Sequence, residues 1–217
     1  MIELVNLTKY FYLRGARTMV ADNINATFPS GKTVALLGRN GAGKSSLLRM
    51  IAGTMWPSDG EIKITGSMSW PVGFAGSFHG DLTGSQNASF IARIYGVDTQ
   101  ELCDYVQDFA ELGQHFNLPV RSYSSGMRSR LAFGISMGIQ FDTYLVDEVT
   151  SVGDAAFRRK SREVLVDRMK SSGAIMVSHD MGIIEAVCDH AAILEKGKMI
   201  YFEDVKAAIA AHRELML

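Results

Sequence analysis

Eight residues constrain this chain more than any others: Gly38, Arg39, Asn40, Gly41, Ala42, Gly43, Lys44 and Ser45, in the pattern GxxxxGKS. The run before them, Thr33 to Leu37, reads as a buried strand, and the run after them, Ser46 to Ala52, reads as a helix. A strand that enters a glycine-rich turn and leaves it as a helix aims backbone N–H groups and the positive end of the helix dipole at one point. Such a turn receives an anion, and its glycines let the main chain approach closely. Lys44 is placed to reach the β- and γ-phosphates of a nucleotide, and the Ser45 hydroxyl to ligate Mg²⁺.

The rest of the chain reads as an α/β protein built around that loop. Ile2 to Val5 and Met19 to Phe28 are strand-like, with a polar turn from Arg14 to Arg17 between them. Pro57 to Gly60 is a turn, and Glu61 to Gly66 alternates at period two. From about 84 to 140 helical patterns dominate, over 85–95, 100–116 and 126–139, as in a helical lobe inserted into an α/β core. Strands and helices alternate again after 141: strand 144–146, helix 155–169, strand 174–177, helix 181–187, strands 191–194 and 199–202, and a last helix over 205–214. This alternation predicts a mainly parallel, layered sheet. The 217 residues suffice for one such domain with its lobe. No apolar run approaches the roughly 20 residues of a membrane span. The N-terminus shows no basic segment leading into an apolar one, so no secretion signal is visible. Lys plus Arg (22) nearly balance Asp plus Glu (23), without the basic excess of a nucleic-acid binder. Cys103 and Cys188 fit no metal or CxxC spacing and read as reduced, buried thiols.

Further elements suit phosphate chemistry. Asp147 ends the apolar strand and is placed to hold Mg²⁺, directly or through water. Glu148 follows it and can accept a proton from an attacking water. His179 ends the next strand, where it can hydrogen-bond a γ-phosphate. Ligands of open α/β sheets bind at the carboxyl ends of strands, where these residues fall. Tyr123-Ser124-Ser125-Gly126-Met127 is a polar turn that opens the helix of 126–139, and so makes a second anion-directed helix start. Read alone it is an N-cap supplied by Ser124 or Ser125. One nucleotide does not need two helix starts in one chain, whereas a dimer in which each chain contributes one start uses both.

In this order, the motifs GRNGAGKSS, SYSSGMRSRLAFGISM, TYLVDE, SVGD and VSHD resemble the ATP-binding subunits of ABC transporters, over essentially the whole chain. The resemblance implies a P-loop NTPase fold of the ABC ATPase type, with an N-terminal antiparallel β part and the helical lobe in the α/β core. It implies ATP and Mg²⁺ as cofactors, and a head-to-tail homodimer with two ATP molecules sandwiched between subunits. Gly38 to Ser46 would hold ATP in one subunit, while Ser124, Ser125 and Gly126 of the other would cap its γ-phosphate. Ser151 to Asp154 would link the two sites across the interface. Phe11 resembles the aromatic that stacks on adenine, with Tyr10 and Tyr12 as alternatives. Lys44, Glu148 and His179 would be the catalytic set.

Within that family the stretch from Ser77 to Asn87, the YSSGM-R-RL variant of the capping motif over Tyr123 to Leu131 and the stretch from Asp147 to Phe157 are most similar to subunits that drive export of bacterial surface polysaccharides. The short chain is similar to the capsular branch, with O-antigen and teichoic-acid exporters as the alternative. Partners would be integral membrane permease subunits and other export components, not nucleic acid, at the cytoplasmic face of the inner membrane. Two departures from the family pattern stand out. Most members carry a glutamine near Phe74 to Gly76 that contacts Mg²⁺ and the attacking water; none lies there, and Gln86 falls too late. Ser125 replaces a glycine of the capping motif, and Met127 a glutamine. The stretch from Phe74 to Tyr95, rich in aromatic residues, is the expected docking surface for the membrane subunits. Other nucleotide-binding classes, a soluble non-transport P-loop ATPase among them, fit less well. A small-molecule kinase has no use for the second helix start, a GTPase needs an NKxD stretch that is missing, and a dinucleotide enzyme needs Gly where Ser46 stands.

Overall fold

A computed structural model of the protein describes residues 1–13, 15–74, 76, 78–147 and 154–216, the side chain of Leu13 excepted. The chain forms two compact units. Met1–Ser69, Asp142–Glu148 and Met169–Leu217 make the first; Trp70–Phe141 and Val149–Arg168 make the second.

The first unit holds an antiparallel sheet of β1 (Ile2–Leu13), β2 (Ala16–Phe28) and β4 (Asp59–Ile64), in the order β2-β1-β4. The β1–β2 hairpin is longer than the sequence suggests, because its alternation is interrupted by bulges. Asn6 and Asn23 sit at positive φ, and the side chains of Asn6 and Asn25 replace ladder bonds there: Asn6 N donates to Asn25 Oδ1 at 2.9 Å, and Asn25 Nδ2 to Asn6 Oδ1 at 3.1 Å.

A larger sheet follows the order β5 (Met68–Pro71), β6 (Thr143–Asp147), β7 (Gly173–Val177), β3 (Thr33–Leu37), β8 (His190–Glu195), β9 (Lys198–Phe202). Its centre is parallel: β3 pairs β7 and β8, and β6 pairs β7, while β9 joins antiparallel at one edge. All five residues of β3 are buried because both faces are covered. Val34 and Leu36 face a core shared with β1, β2 and α1 (Lys44–Ile51). Ala35 and Leu37 face a second core with α6 (Met181–Val187) and α7 (Val205–Met216). Each large aliphatic side chain so buried stabilises the fold by roughly 2 kcal/mol. A parallel central sheet with an antiparallel N-terminal part is the expected fold class.

The second unit is helical: α2 (Gly84–Tyr95), α3 (Thr99–Ala110), α4 (Ser125–Gly138) and α5 (Ala155–Met169), whose last residue belongs to the first unit, with 3₁₀ turns at Gly113–Asn117 and Val120–Ser122. Phe109 stacks on Phe133 at 5.6 Å between centroids and meets Phe157 edge-on at 5.3 Å. The expected helix of 100–116 stops at Ala110 instead, because Glu111 turns left-handed at φ 53° and ends it.

Candidate functional site

The register of the parallel strands builds the first half of the site. Ala35 pairs Met176, which pairs Val146, and Asp147 pairs Val177. The carboxyl ends of β3, β7 and β6 therefore come to one edge, and carry Gly38, His179 and Asp147 there. An open groove of about 470 Å³ brings Asn40, Gly41, Gly43, Lys44, Ser45 and Ser46 together with His179. Val20, on β2, supplies an apolar wall that the sequence reading missed; no local pattern announces it.

Two glycines of the loop are required by close approach. A Cβ on Gly38 (φ 147°) would run into the Leu194 carbonyl, and one on Gly43 (φ 104°) into the Val20 side chain. Ala42 N donates to Arg39 O at 3.0 Å and closes the turn. Gly43 is the N-cap of α1 and no side chain caps that helix. Lys44 Nζ donates to Gly38 O at 2.7 Å and to Arg39 O at 3.1 Å, so the ammonium lies folded over the loop. An uncapped helix start, a close main-chain cradle and a cation at its centre fit a phosphate chain. α1 packs against β6, which brings the helix of Ser45 to the strand of Asp147. Their donors are oxygens, the set that suits Mg²⁺ rather than a softer metal.

His179 is exposed, and the next residue, Asp180, caps α6 by accepting from Gly182 N at 2.9 Å and Ile183 N at 3.1 Å. Phe11 stands on β1 opposite Thr18, with the Lys9 ammonium 5.0 Å from its ring centre. Tyr10 and Tyr12 point the other way along the strand. They meet edge-on at 5.7 Å, with the Arg17 guanidinium 3.9 Å over Tyr10. None of the three aromatics lines the groove. Glu148 and Ser151 lie outside the described residues.

In the second unit Ser124 caps α4 by accepting from Met127 N at 3.2 Å. A hydroxyl that accepts this bond still carries a proton to donate outward. Beside it Gly126 is open, since an added Cβ would meet only Ser124 Oγ at 3.9 Å. Ser125 is exposed. A groove of about 350 Å³ joins Ser124, Gly126 and Met127 to His115, Arg130 and Asp154. Tyr123 beneath them is buried, and its hydroxyl donates to His115 O at 2.5 Å; burial pushes its pKa up, so the phenol stays a donor. The sequence marks Arg130 only as part of the motif, with no role of its own, although its spacing of four from Gly126 places both on one helix face.

The aromatic stretch 74–95 divides. Ile91 is buried, and Tyr95 packs on Trp70 and Phe141. Phe90 and Ile94, one turn apart on α2, are 55% and 59% exposed. Asn87, 3% exposed, clamps the loop before α2: its Oδ1 accepts from His79 N, and its Nδ2 donates to His79 O, Leu82 O and Thr83 O. Cys103 is buried, whereas Cys188 is only partly so; burial still pushes the Cys188 thiol up to about 12, which suits an unreactive group. Among the described residues no helix is long and apolar enough to cross a membrane.

The loop at the carboxyl edge of a parallel sheet, with its lysine and helix start, defines a P-loop nucleotide site. The ABC transporter family profile matches residues 21–151. The chain is 46% identical to the polysialic acid transport ATP-binding protein KpsT of Escherichia coli, over 98% of this chain and 96% of that one. It is 43% identical to the capsule polysaccharide export ATP-binding protein CtrD of Neisseria meningitidis serogroup B, over 99% and 100%. Its fold matches the dimeric structure of a post-hydrolysis state of the ATP-binding cassette MJ0796 bound to ADP and Pi, at a TM-score of 0.78 and 20% identity, covering 93% of this chain and 98% of that one. The chain belongs to the ABC transporter family.

Proposed function

We propose that this chain is the ATP-hydrolysing subunit of an exporter of bacterial polysaccharide, and that the polymer is capsular. The groove around Lys44 carries the ATPase reading. The names of relatives aligned along nearly the whole chain, KpsT and CtrD, support the polymer class.

In this reading the main chain of Gly38 to Ser46 and the Lys44 ammonium bind the phosphates, and Phe11 stacks on the adenine. Ser45 and Asp147 would hold Mg²⁺, which would supply charge neutralisation to the phosphate chain. Glu148 takes a proton from the attacking water, and His179 donates to a γ-phosphate oxygen. Ser124, Ser125 and Gly126 of a second copy offer the start of α4 to the same phosphate, so that bound ATP draws two copies together by charge-assisted hydrogen bonds. Ser151 and Asp154 lie at that interface. Loss of the γ-phosphate removes the attraction, and the pair opens. The two units work as one ATP-binding domain, with the lobe of about 84–140 docking separate membrane subunits through the exposed side of α2. The protein is peripheral, at the cytoplasmic face of the inner membrane.

The experiment pairs two variants. Glu148→Gln is expected to bind ATP, hydrolyse it at least ~100-fold more slowly and run as a dimer on sizing columns with ATP and Mg²⁺. Lys44→Ala is expected to lose both nucleotide binding and turnover. Wild-type turnover in the lysine variant overturns the site; a Glu148→Gln protein that stays monomeric with ATP overturns the shared-site arrangement.

A further inference from the structure

Asp154 has a partner that the reading above does not use. The side chain of Arg130, 18% exposed, comes from the face of α4 that also carries Gly126. Its Nη2 donates to Asp154 Oδ2 at 2.6 Å, its Nη1 lies 3.7 Å from Glu111 Oε2, and its guanidinium sits 4.5 Å over the Phe157 ring. Glu111, the residue that ends α3, is also held by Lys160 at 2.6 Å. The other Asp154 oxygen accepts from Phe157 N at 2.9 Å and so caps the first turn of α5. That backbone bond, followed by the Arg130 charge, holds the Asp154 carboxyl below the usual carboxylate range. One guanidinium thus ties the end of α3, the body of α4 and the start of α5.

Two physical consequences follow. Glu111 and Asp154 border the groove at the start of α4, and unpaired carboxylates there oppose, by repulsion, closure on a triphosphate already held by the loop of a second copy. Arg130 cancels that repulsion. A forked, stacked guanidinium also fixes direction, which a lysine ammonium does not.

We propose that Arg130 is a positioning residue, which locks Asp154, and with it the first turn of α5, to the helix presenting Ser124, Ser125 and Gly126. The proposal rests on the reading in which that helix start meets the triphosphate of a second copy. The start of α4 and the first turn of α5 then meet that triphosphate as one body.

The test is a double-mutant cycle in the full chain with Arg130→Gln, Asp154→Asn and the pair, reading kcat and KM for ATP with Mg²⁺ and hydrogen exchange at the Phe157 amide. Arg130→Gln is expected to lower kcat about tenfold, to leave KM within about twofold and to speed Phe157 exchange about tenfold, and the double variant to lose no more than Arg130→Gln alone. Losses that multiply in the double variant overturn the proposal, as does wild-type kcat in Arg130→Gln. Should that variant not fold, Arg130→Lys replaces it: about a threefold lower kcat with faster Phe157 exchange is expected, and wild-type values of both overturn the proposal. A wild-type chain without ATP turnover sinks the ATPase reading instead; Phe157 exchange then decides on Arg130 by itself, and an unchanged rate overturns it.

Discussion

Lys44 and Ser124 each satisfy a local bond and keep the capacity for another. The ammonium bonds to carbonyls of its own loop, an arrangement that spares it from lying unpaired in the groove and that phosphate oxygens can replace at little cost. Ser124 spends a lone pair on its helix and keeps a proton for a ligand. His212 differs, being 8% exposed on α7 with no hydrogen-bond partner for Nδ1 among the described residues. Burial pushes its pKa below the ordinary histidine value; the Lys44 charge adds to this and Glu195 opposes it. The unfolded chain therefore binds this proton more tightly than the folded one. The stabilising contribution is complete above about pH 6.5 and is lost as pH falls below it toward the lower folded value. Thermal melts should show Tm falling as pH drops below about 6.5, with a shallower fall in His212→Leu; identical slopes would remove His212 from the account.

Element boundaries follow local chemistry where a cap exists. The Thr83 hydroxyl accepts from Gln86 N at 3.0 Å and Gln86 Oε1 accepts from Thr83 N at 2.9 Å, a reciprocal capping box that starts α2. Its T-x-x-Q spacing is legible in the sequence. Thr83→Ala should cost about 1 kcal/mol, read as a lower denaturant midpoint with an unchanged m-value. The end of α3 is a different matter. Apolar spacing carries on to Phe116, yet the helix stops at Ala110 because Glu111 is held left-handed and bonded by Lys160. That contact spans 49 positions of sequence, and no helical pattern encodes it. Similarly β1 reads as a strand only to Val5 because its bulges break the period of two, and the short β5 at Met68–Pro71 leaves no periodic trace at all.

At the scale of the whole molecule, the proposed docking to membrane subunits uses the exposed side of α2. Phe90→Glu with Ile94→Glu should abolish co-purification with an integral membrane partner, while ATP turnover of the isolated protein stays within about twofold; retained co-purification would move the docking surface elsewhere. The amino-acid sequence by itself determined the phosphate loop, the strand and helix flanking it, the order of the site motifs and the α/β class, because each rests on spacings of a few residues: turn chemistry, period-two and i,i+4 patterns, a helix start. Only the tertiary structure decided that Val20 walls the loop, that His212 is buried near Lys44, and that Arg130 binds Asp154 across 24 positions. Such pairings arise when distant segments are packed to native density around a shared core, and the partner of a side chain is then set by geometry that no short stretch of sequence contains.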